Sequence, residues 1–318
     1  MNNLHYGYGS GEKATTENRR HVLTETIIQT TNLTKSYGKN RGINDVNITV
    51  RRGDIFGFLG PNGAGKSTTI RTLLDFIRPS SGSASIFGLD CQKDSLAIRQ
   101  RIGYIPGDAN LYGHMTGWKY LRYIGSIRGQ YDEASAKKYA ERFEIKLDRK
   151  MREYSSGMRQ KVIIIQALMN DPDLIIMDEP TKALDPLVQQ VFMDVVREEA
   201  ADGKTIFMSS HVLSDVEKVC NRVAIIKEGR IVAEEDMASL KRKAGKVVEV
   251  KFKSAKPENF TVSGIGNVSR LDGYYKMTAT GDIKTVLHDL ASYDIEDVNI
   301  HAMTLDDIFM QYYTSEAK

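Results

Sequence analysis

A glycine-rich segment of the chain has the residue types and spacing of a phosphate-binding loop. It matches the pattern G-x-x-x-x-G-K-[ST] and consists of Gly60, Pro61, Asn62, Gly63, Ala64, Gly65, Lys66 and Ser67. Glycines let backbone N–H groups turn toward phosphate oxygens, and Lys66 is expected to reach the β- and γ-phosphates. The Ser67 hydroxyl is predicted to ligate Mg²⁺. Thr68 follows it in a helix whose positive end should face the same anion.

Two adjacent carboxylates follow an apolar run, Leu174–Met177, in the second half of the chain. Asp178 ends this run and Glu179 comes next. A carboxylate at the end of a buried strand can hold Mg²⁺ directly or through water. The next carboxylate can then polarise an attacking water as a general base. The pair therefore predicts hydrolysis of a phosphate bound at the glycine-rich loop.

The elements around the loop are those that it requires. The short apolar run Ile55–Leu59 ends at Gly60 and predicts a buried strand. Beyond the glycines, apolar residues recur with the spacing of one helix face at Ile70, Leu73, Leu74 and Ile77. This helix is expected to stop at Arg78-Pro79. A strand, a glycine loop and a helix in this order are the context of a P-loop.

Further buried strands are predicted at Leu174–Met177, Thr205–Met208 and Val223–Ile226. Residues from about 90 to 150 are predicted to be mainly helical, most clearly at Asp132–Phe143. The apolar run Val162–Met169 predicts a buried helix rather than a membrane span, because it is far shorter than the roughly 18 apolar residues that a span needs.

The pattern changes after about Ser239. Val248, Val250 and Phe252 alternate with charged residues, as in a half-buried strand, and Asp272-Gly273 signals a hairpin. One helix is predicted from Ile283 to Leu290, and a last one is predicted to be capped by Thr304 and Asp307. These elements predict a second, small α+β domain.

Several segments of the chain resemble the sequence motifs of one protein family. Tyr154-Ser155-Ser156-Gly157-Met158-Arg159-Gln160 resembles the LSGGQ signature of ABC transporter ATPases. Three further segments resemble other motifs of that family, in the family's order: the Walker B end at Asp178-Glu179-Pro180-Thr181, the D-loop at Ala183-Leu184-Asp185 and the switch-histidine segment at Ser209-Ser210-His211. The resemblance covers about residues 27–231. The tail Thr304–Phe309 is more loosely similar to the export subfamily for drugs, antibiotics and polysaccharides.

The resemblance implies a fold and an activity. The expected fold is an α/β P-loop NTPase cassette, with a RecA-like core, an antiparallel β subdomain and a helical subdomain at about 90–155. The expected ranges are a mobile N-terminal extension at 1–24, the cassette at 25–238 and the C-terminal α+β domain at 239–318. The expected activity is hydrolysis of ATP to ADP and phosphate, with ATP and Mg²⁺ as cofactors.

The resemblance also implies a site shared by two chains. Ser155 or Ser156 can cap the following helix, and a helix N-terminus with a hydroxyl is an anion site. In the family, this signature faces the γ-phosphate bound by a second cassette, so Ser155 and Gly157 are expected to act in trans. His211 is expected to touch the γ-phosphate or the attacking water. Tyr37 stands where the family places an aromatic ring on adenine.

Three positions depart from the family's pattern. Gly107 follows the strand and turn Ile102–Pro106, where the family usually has glutamine, and it has no side chain to reach a metal. Asp108 is the candidate that replaces the glutamine at Mg²⁺. Ser156 replaces a glycine of the signature, and Lys182 replaces a serine before the D-loop. Each departure bears on turnover or coupling rather than on ATP binding.

The leading hypothesis is the ATP-hydrolysing subunit of an ABC exporter, on the cytoplasmic face of the cell membrane. Its predicted partners are a second cassette, with a homodimer favoured, and a separate multi-span permease, because the chain has no apolar stretch of membrane-spanning length. The near-balanced charge, with 44 basic and 41 acidic residues, predicts no nucleic-acid partner. Two alternatives remain: a soluble ABC-type ATPase of translation or DNA repair, and an ATP-binding regulatory module with weak hydrolysis.

Overall fold

The computed structural model describes residues 25–38, 40–108, 111–129, 131–243, 245–253, 260–271, 273–279 and 282–303. Contacts divide the chain into two compact units, with the division between Glu234 and Glu235. The extension predicted at 1–24 and the last helix predicted from Thr304 lie outside the described residues. The domain ranges given from the sequence stay predictions.

The first unit contains both strands and helices. Its strands are β1 (Thr26–Tyr37), β2 (Asn40–Val46), β3 (Thr49–Arg51), β4 (Ile55–Leu59), β5 (Ser81–Ile86), β6 (Leu89–Asp90), β7 (Ile102–Ile105), β8 (Leu174–Asp178), β9 (Thr205–Ser210), β10 (Arg222–Lys227) and β11 (Arg230–Asp236). Its helices are α1 (Lys66–Leu73), α2 (Ser95–Gln100), α3 (Gly117–Ile127), α4 (Glu133–Arg142), α5 (Ser156–Leu168), α6 (Pro186–Ala201) and α7 (Leu213–Val219).

A six-stranded sheet forms the centre of this unit, in the order β11-β10-β4-β9-β8-β7. The pairs from β10 to β7 are parallel. Every residue of β4, β8 and β9 is buried, which explains their continuous apolar sequences. Leu59 is in register with Ser210, and Asp178 with Ser209. The residues that follow β4, β8 and β9 therefore meet at one edge of the sheet.

A second sheet is antiparallel, with the order β2-β1-β5-β6 and with β3 also paired to β1. Its inner face shares one apolar core with the central sheet and α1, including Ile28, Val50, Phe56 and Ile70. The Phe56 and Phe207 rings stack within this core at a centroid distance of 5.7 Å. The predicted class, a RecA-like α/β core with an antiparallel β subdomain, is confirmed.

Two predicted helical segments differ from the structure. The helix after the glycine loop ends at Leu73 rather than near Arg78, because Asp75 adopts a left-handed conformation with φ of 54°. Within the predicted helical region of about 90–155, Ile102–Ile105 is a strand of the central sheet. This strand approaches α5 closely, since a Cβ on Gly103 would lie 2.3 Å from the Ala167 carbonyl oxygen.

The helical region is joined to the core through a buried carboxylate. Helix α4 agrees with its prediction and is capped by the Asp132 side chain. Tyr139 of α4 donates a hydrogen bond of 2.5 Å to Glu199 of α6. Lys204 pairs with the other oxygen of Glu199 at 2.5 Å and with Asp171 at 2.6 Å. Burial is the main cause that raises the pKa of the Tyr139 phenol, and the Glu199 hydrogen bond adds to it.

The second unit is an α+β domain, as predicted. Its elements are α8 (Met237–Lys243), β12 (Lys246–Phe252), β13 (Ile265–Leu271), β14 (Tyr274–Ala279), α9 (Ile283–Leu290) and β15 (Ile295–Ala302). The sheet is antiparallel in the order β13-β14-β12-β15. The alternating Val248, Val250 and Phe252 face α9 residues Val286 and Leu290 in one core. β13 and β14 pair in antiparallel fashion on either side of the predicted hairpin, of which Asp272 lies outside the described residues.

Both cysteines, Cys91 and Cys220, are buried free thiols. Burial raises the pKa of the Cys91 thiol to about 12, so it stays protonated and unreactive near neutral pH. None of the helices in the described ranges is long and apolar enough to cross a membrane.

The separate core of the second unit leads to a prediction. A chain shortened to residues 1–236 retains β11, the last strand of the central sheet, and is expected to fold and to bind ATP. Circular dichroism during heating should show one cooperative transition, and calorimetry should show ATP binding. Loss of cooperative unfolding in the shortened chain would show that the two units share one core.

Candidate nucleotide site

The glycine-rich loop connects β4 to α1 and depends on glycine at three positions. Gly63 and Gly65 have φ angles of 80° and 111°, which side chains with a Cβ rarely adopt. A Cβ on Gly60 would lie 2.3 Å from the Ile226 carbonyl oxygen of β10. The loop therefore lies tightly against the sheet, and α1 begins directly after it, at Lys66.

Lys66 is buried although it is charged, with 5% of its side chain exposed. Its ammonium donates to the carbonyls of Gly60 and Pro61, at 2.7 and 3.1 Å. It also lies 3.1 Å from Glu179 Oε1. This oxygen is buried and has no hydrogen-bond partner among the described residues, so the contact with Lys66 is an ion pair without hydrogen-bond geometry.

One serine of β9 binds both the Asp178 carboxylate and the Glu179 backbone at the end of β8. Ser209 Oγ donates to Asp178 Oδ1 at 2.6 Å and accepts from the Glu179 backbone N–H at 3.1 Å. Glu179 has a φ of 50°, so the chain turns sharply where the strand ends. Sequence reasoning placed Ser209 in the segment before His211 but assigned it no role. Its position in a buried strand, next to Asp178, would indicate a role. This neighbour is known only when the register of the strands is known.

His211 lies directly beside Glu179. Its Nδ1 is 2.6 Å from Glu179 Oε2, and an ionised carboxylate can only accept, so Nδ1–H is the donor. The His211 side chain remains 40% exposed. The edge of the sheet thus brings together Lys66, Asp178, Glu179 and His211, which the sequence places far apart.

Lys66, Asp178 and Glu179 border a cleft of about 270 Å³, whereas His211 contacts Glu179 without lining the cleft itself. Its described lining consists of Tyr37, Gly42, Asn62, Gly63, Gly65, Lys66, Ser67, Thr68, Arg71, Gly107, Asp108, Asp178, Glu179 and Lys182. Gly60, Pro61 and Ala64, which were also predicted to bind nucleotide, do not line it. The first two provide carbonyls to Lys66, and Ala64 is buried in the core. Tyr37 is 46% exposed, so its ring is available to a flat ligand.

Tyr104, on β7, is a buried neighbour of the site. Burial is the main cause that raises the pKa of its phenol to about 12, and the charge of Asp178 adds to this effect. The Tyr104 phenol therefore stays neutral near neutral pH.

The signature segment is built as predicted but lies outside the cleft. Ser155 caps α5 by accepting a hydrogen bond from the Met158 N–H at 3.2 Å, so Ser155 rather than Ser156 is the capping residue. A Cβ on Gly157 would lie 3.0 Å from the Ala183 carbonyl oxygen. Neither Ser155 nor Gly157 lines the cleft of its own chain. Ser155 and Ser156 are exposed at the N-terminal end of this helix.

Two of the residues that depart from the family's pattern, Gly107 and Lys182, line the cleft, whereas Ser156 does not. A Cβ on Gly107 would lie 3.3 Å from the Asp178 carbonyl oxygen and 3.5 Å from Asp178 Oδ2. The lack of a side chain there leaves Asp178 Oδ2 open to the cleft. Asp108, with 94% of its side chain exposed, pairs with Lys182 at 3.8 Å.

Comparison with known proteins agrees with this geometry. The family model described as "ABC transporter" matches residues 43–182. Bacitracin transport ATP-binding protein BcrA of Bacillus licheniformis is 39% identical, over 70% of this chain and 74% of that protein. The chain belongs to the ABC transporter ATP-binding proteins. This ABC cassette is an ATPase of that family, and the predicted nucleotide binding is confirmed.

Two further similarities extend the comparison. Nod factor export ATP-binding protein I of Cupriavidus metallidurans is 35% identical to the cassette, over 65% of this chain and 70% of that protein. A solved dimeric ATP-binding cassette in a post-hydrolysis state, bound to ADP and Pi, superposes with a TM-score of 0.60 at 25% identity. That match covers 66% of this chain and 99% of the solved chain. The predicted similarity to export-type ATPases is confirmed.

The bridging position of Ser209 leads to a prediction. Ser209→Ala is expected to keep ATP binding but to lower turnover about tenfold, because Asp178 loses the donor that orients it. Steady-state phosphate release at varied Mg²⁺ measures this effect. Ser210→Ala is the matched control, since the Ser210 hydroxyl is equally buried but bonds only to the Val212 backbone. Equal losses in both variants would reject an orienting role for Ser209.

Proposed function

We propose that this cassette is the ATP-hydrolysing subunit of an ABC exporter, which powers a separate membrane permease through ATP-driven dimerisation of cassettes. The observation that carries the proposal is the meeting of Lys66, Glu179 and His211 at one sheet edge beside the glycine loop. The relatives that transport bacitracin and export Nod factors support the export role. The alternatives in translation, DNA repair or regulation have no comparable support.

The residues of the cleft fit ATP as the substrate. The glycine loop presents backbone N–H groups and the N-terminal end of α1 to the phosphates, and Lys66 supplies a cation. Tyr37 is the candidate for stacking on adenine, with its ring exposed at the cleft. Asn62, Ser67 and Thr68 complete the polar lining of the phosphate region.

Glu179 has the position of a general base. One of its oxygens is buried and without a hydrogen-bond donor, and the other accepts from His211. Oε1, which accepts no hydrogen bond from the described residues, is the oxygen proposed to accept the proton of the attacking water. His211 fixes the carboxylate, and its exposed ring can also contact the terminal phosphate. Lys66 lies 3.1 Å from Oε1 and adds a positive charge beside this carboxylate.

The cleft also fits Mg²⁺. Among the described residues there is no cluster of three or more His, Cys, Asp or Glu side chains that could hold a metal. Mg²⁺ commonly binds through one or two carboxylates, phosphates and water, so Ser67 and Asp178 with the open Oδ2 suffice. Asp108 is proposed as a further, water-mediated ligand. When bound, Mg²⁺ offsets the charge of the β- and γ-phosphates.

We propose a homodimer in which each signature completes the site of the other chain. Ser155 and Gly157 lie at an exposed helix N-terminus outside their own cleft, and that end attracts anions. The dimeric arrangement of the similar solved cassette supports this assembly. The export role places the cassette on the cytoplasmic face of the membrane, in contact with the permease.

Glu179→Gln tests the catalytic assignment. The variant is expected to bind ATP normally and to hydrolyse it at least about a hundredfold more slowly, because the amide cannot accept the proton of the attacking water. It should also accumulate as an ATP-bound dimer, visible by light scattering with MgATP. Wild-type hydrolysis together with a variant that stays monomeric in MgATP would contradict the shared site.

Asp108→Ala tests the metal assignment. The expected result is a roughly tenfold higher Mg²⁺ requirement for ATP hydrolysis, because one acidic side chain is lost from the metal's surroundings. Asp148→Ala, at an exposed position that does not line the cleft, is the control. A Gly107→Gln variant reports whether a side chain beside Asp178 changes turnover. An Asp108→Ala enzyme with the wild-type Mg²⁺ requirement would exclude the metal role of Asp108.

A further inference from the structure

Lys182 is a second lysine at the nucleotide cleft. It comes shortly after the carboxylates at the end of β8, whereas Lys66 belongs to the glycine loop. Its side chain lines the same cleft as Lys66, Ser67 and Glu179. In contrast to Lys66, which is buried, Lys182 has 62% of its side chain exposed. It is therefore free to extend toward a ligand without losing buried contacts.

The backbone that carries Lys182 is fixed. The Thr181 hydroxyl donates to Asp215 at 2.7 Å, and both side chains are buried. Gln160 donates to the Pro180 carbonyl at 2.9 Å, and the Lys182 N–H donates to the Glu179 carbonyl at 3.3 Å. The base of the lysine is thus held within three residues of the proposed general base, while its ammonium can move.

The balance of charges in the cleft indicates a role for the Lys182 ammonium. Its described lining contains three cationic side chains, Lys66, Arg71 and Lys182, and three acidic ones, Asp108, Asp178 and Glu179. Asp108 is an unfavourable neighbour for a triphosphate, and its contact with Lys182 is 3.8 Å long and exposed to solvent. Such a pair contributes about 0–1 kcal/mol, so an incoming phosphate can readily displace Asp108 from Lys182.

We propose that Lys182 binds the terminal phosphate of ATP and is held near its place by Asp108 until nucleotide enters. The terminal phosphate is the part of ATP that must lie next to Asp178 and Glu179, from which Lys182 is separated by one tight turn. This inference rests on the proposed function of the cleft. It gives the departure at position 182 a role in distinguishing ATP from ADP.

The test compares binding of ADP with binding of a non-hydrolysable ATP analogue that has a β,γ-methylene bridge. Lys182→Ala is expected to weaken the analogue about three- to tenfold and ADP by less than about twofold. Lys182→Arg, which keeps the charge, should retain most of the affinity. Lys146→Ala is the matched control, because Lys146 is an exposed lysine of the same unit that does not line the cleft.

A double-mutant cycle with Asp108→Ala separates phosphate contact from simple neutralisation of Asp108. If Lys182 contacts the phosphate, Lys182→Ala weakens analogue binding in the Asp108→Ala background as well. If it only neutralises Asp108, the loss disappears there, and the proposal is wrong. Equal analogue affinity of Lys182→Ala and wild type also overturns it, whereas a wild-type chain that binds neither nucleotide would overturn the proposed function itself.

Discussion

The parallel register of β4, β8 and β9 is the constraint on which the site depends. These strands are buried along their whole length, so their apolar sequences fix which residues emerge at the sheet edge. Leu59 opposite Ser210 and Asp178 opposite Ser209 bring the glycine loop, the carboxylates and His211 into contact. A slip of one residue in β8 would turn Asp178 away from Ser209. The packing of the core and the geometry of the site therefore depend on the same strand register.

Local sequence was sufficient for the parts of the site whose geometry is local. The glycine loop forms between a predicted strand and a predicted helix, because Gly63 and Gly65 adopt positive φ angles that residues with a Cβ rarely adopt. The Ser155 cap and the buried strand ending at Asp178 depend likewise on a few consecutive residues. The hairpin before Tyr274 in the second unit belongs to the same group.

The contacts that sequence could not supply join residues from different elements. The bond from Ser209 to Asp178 and the ion pair of Lys66 with Glu179 require the order and register of strands that are not adjacent in the chain. The early end of α1 follows from one left-handed residue, Asp75, which apolar periodicity does not detect. The strand at Ile102–Ile105 is too short to show a period, so only the family resemblance indicates it, and its place is set by its pairing with β8 and its close packing on α5.

The contacts that join the helical region to the core differ in strength along α4, and the contact with the buried Glu199 carboxylate is stronger than the exposed pair beside it. At one point α4 and α6 meet through Tyr139, Glu199 and Lys204, with only 4% of the Glu199 side chain exposed. Beside it, Arg142 and Glu198 form an exposed pair at 3.0 Å that water can replace at little cost. Separating the helices at Tyr139 would break a hydrogen bond to a buried carboxylate, at a cost of about 1.5–3 kcal/mol. The helical region is therefore held most firmly near Tyr139. Its other contacts with the core, such as the exposed pair of Arg142 with Glu198, can be displaced at lower energy.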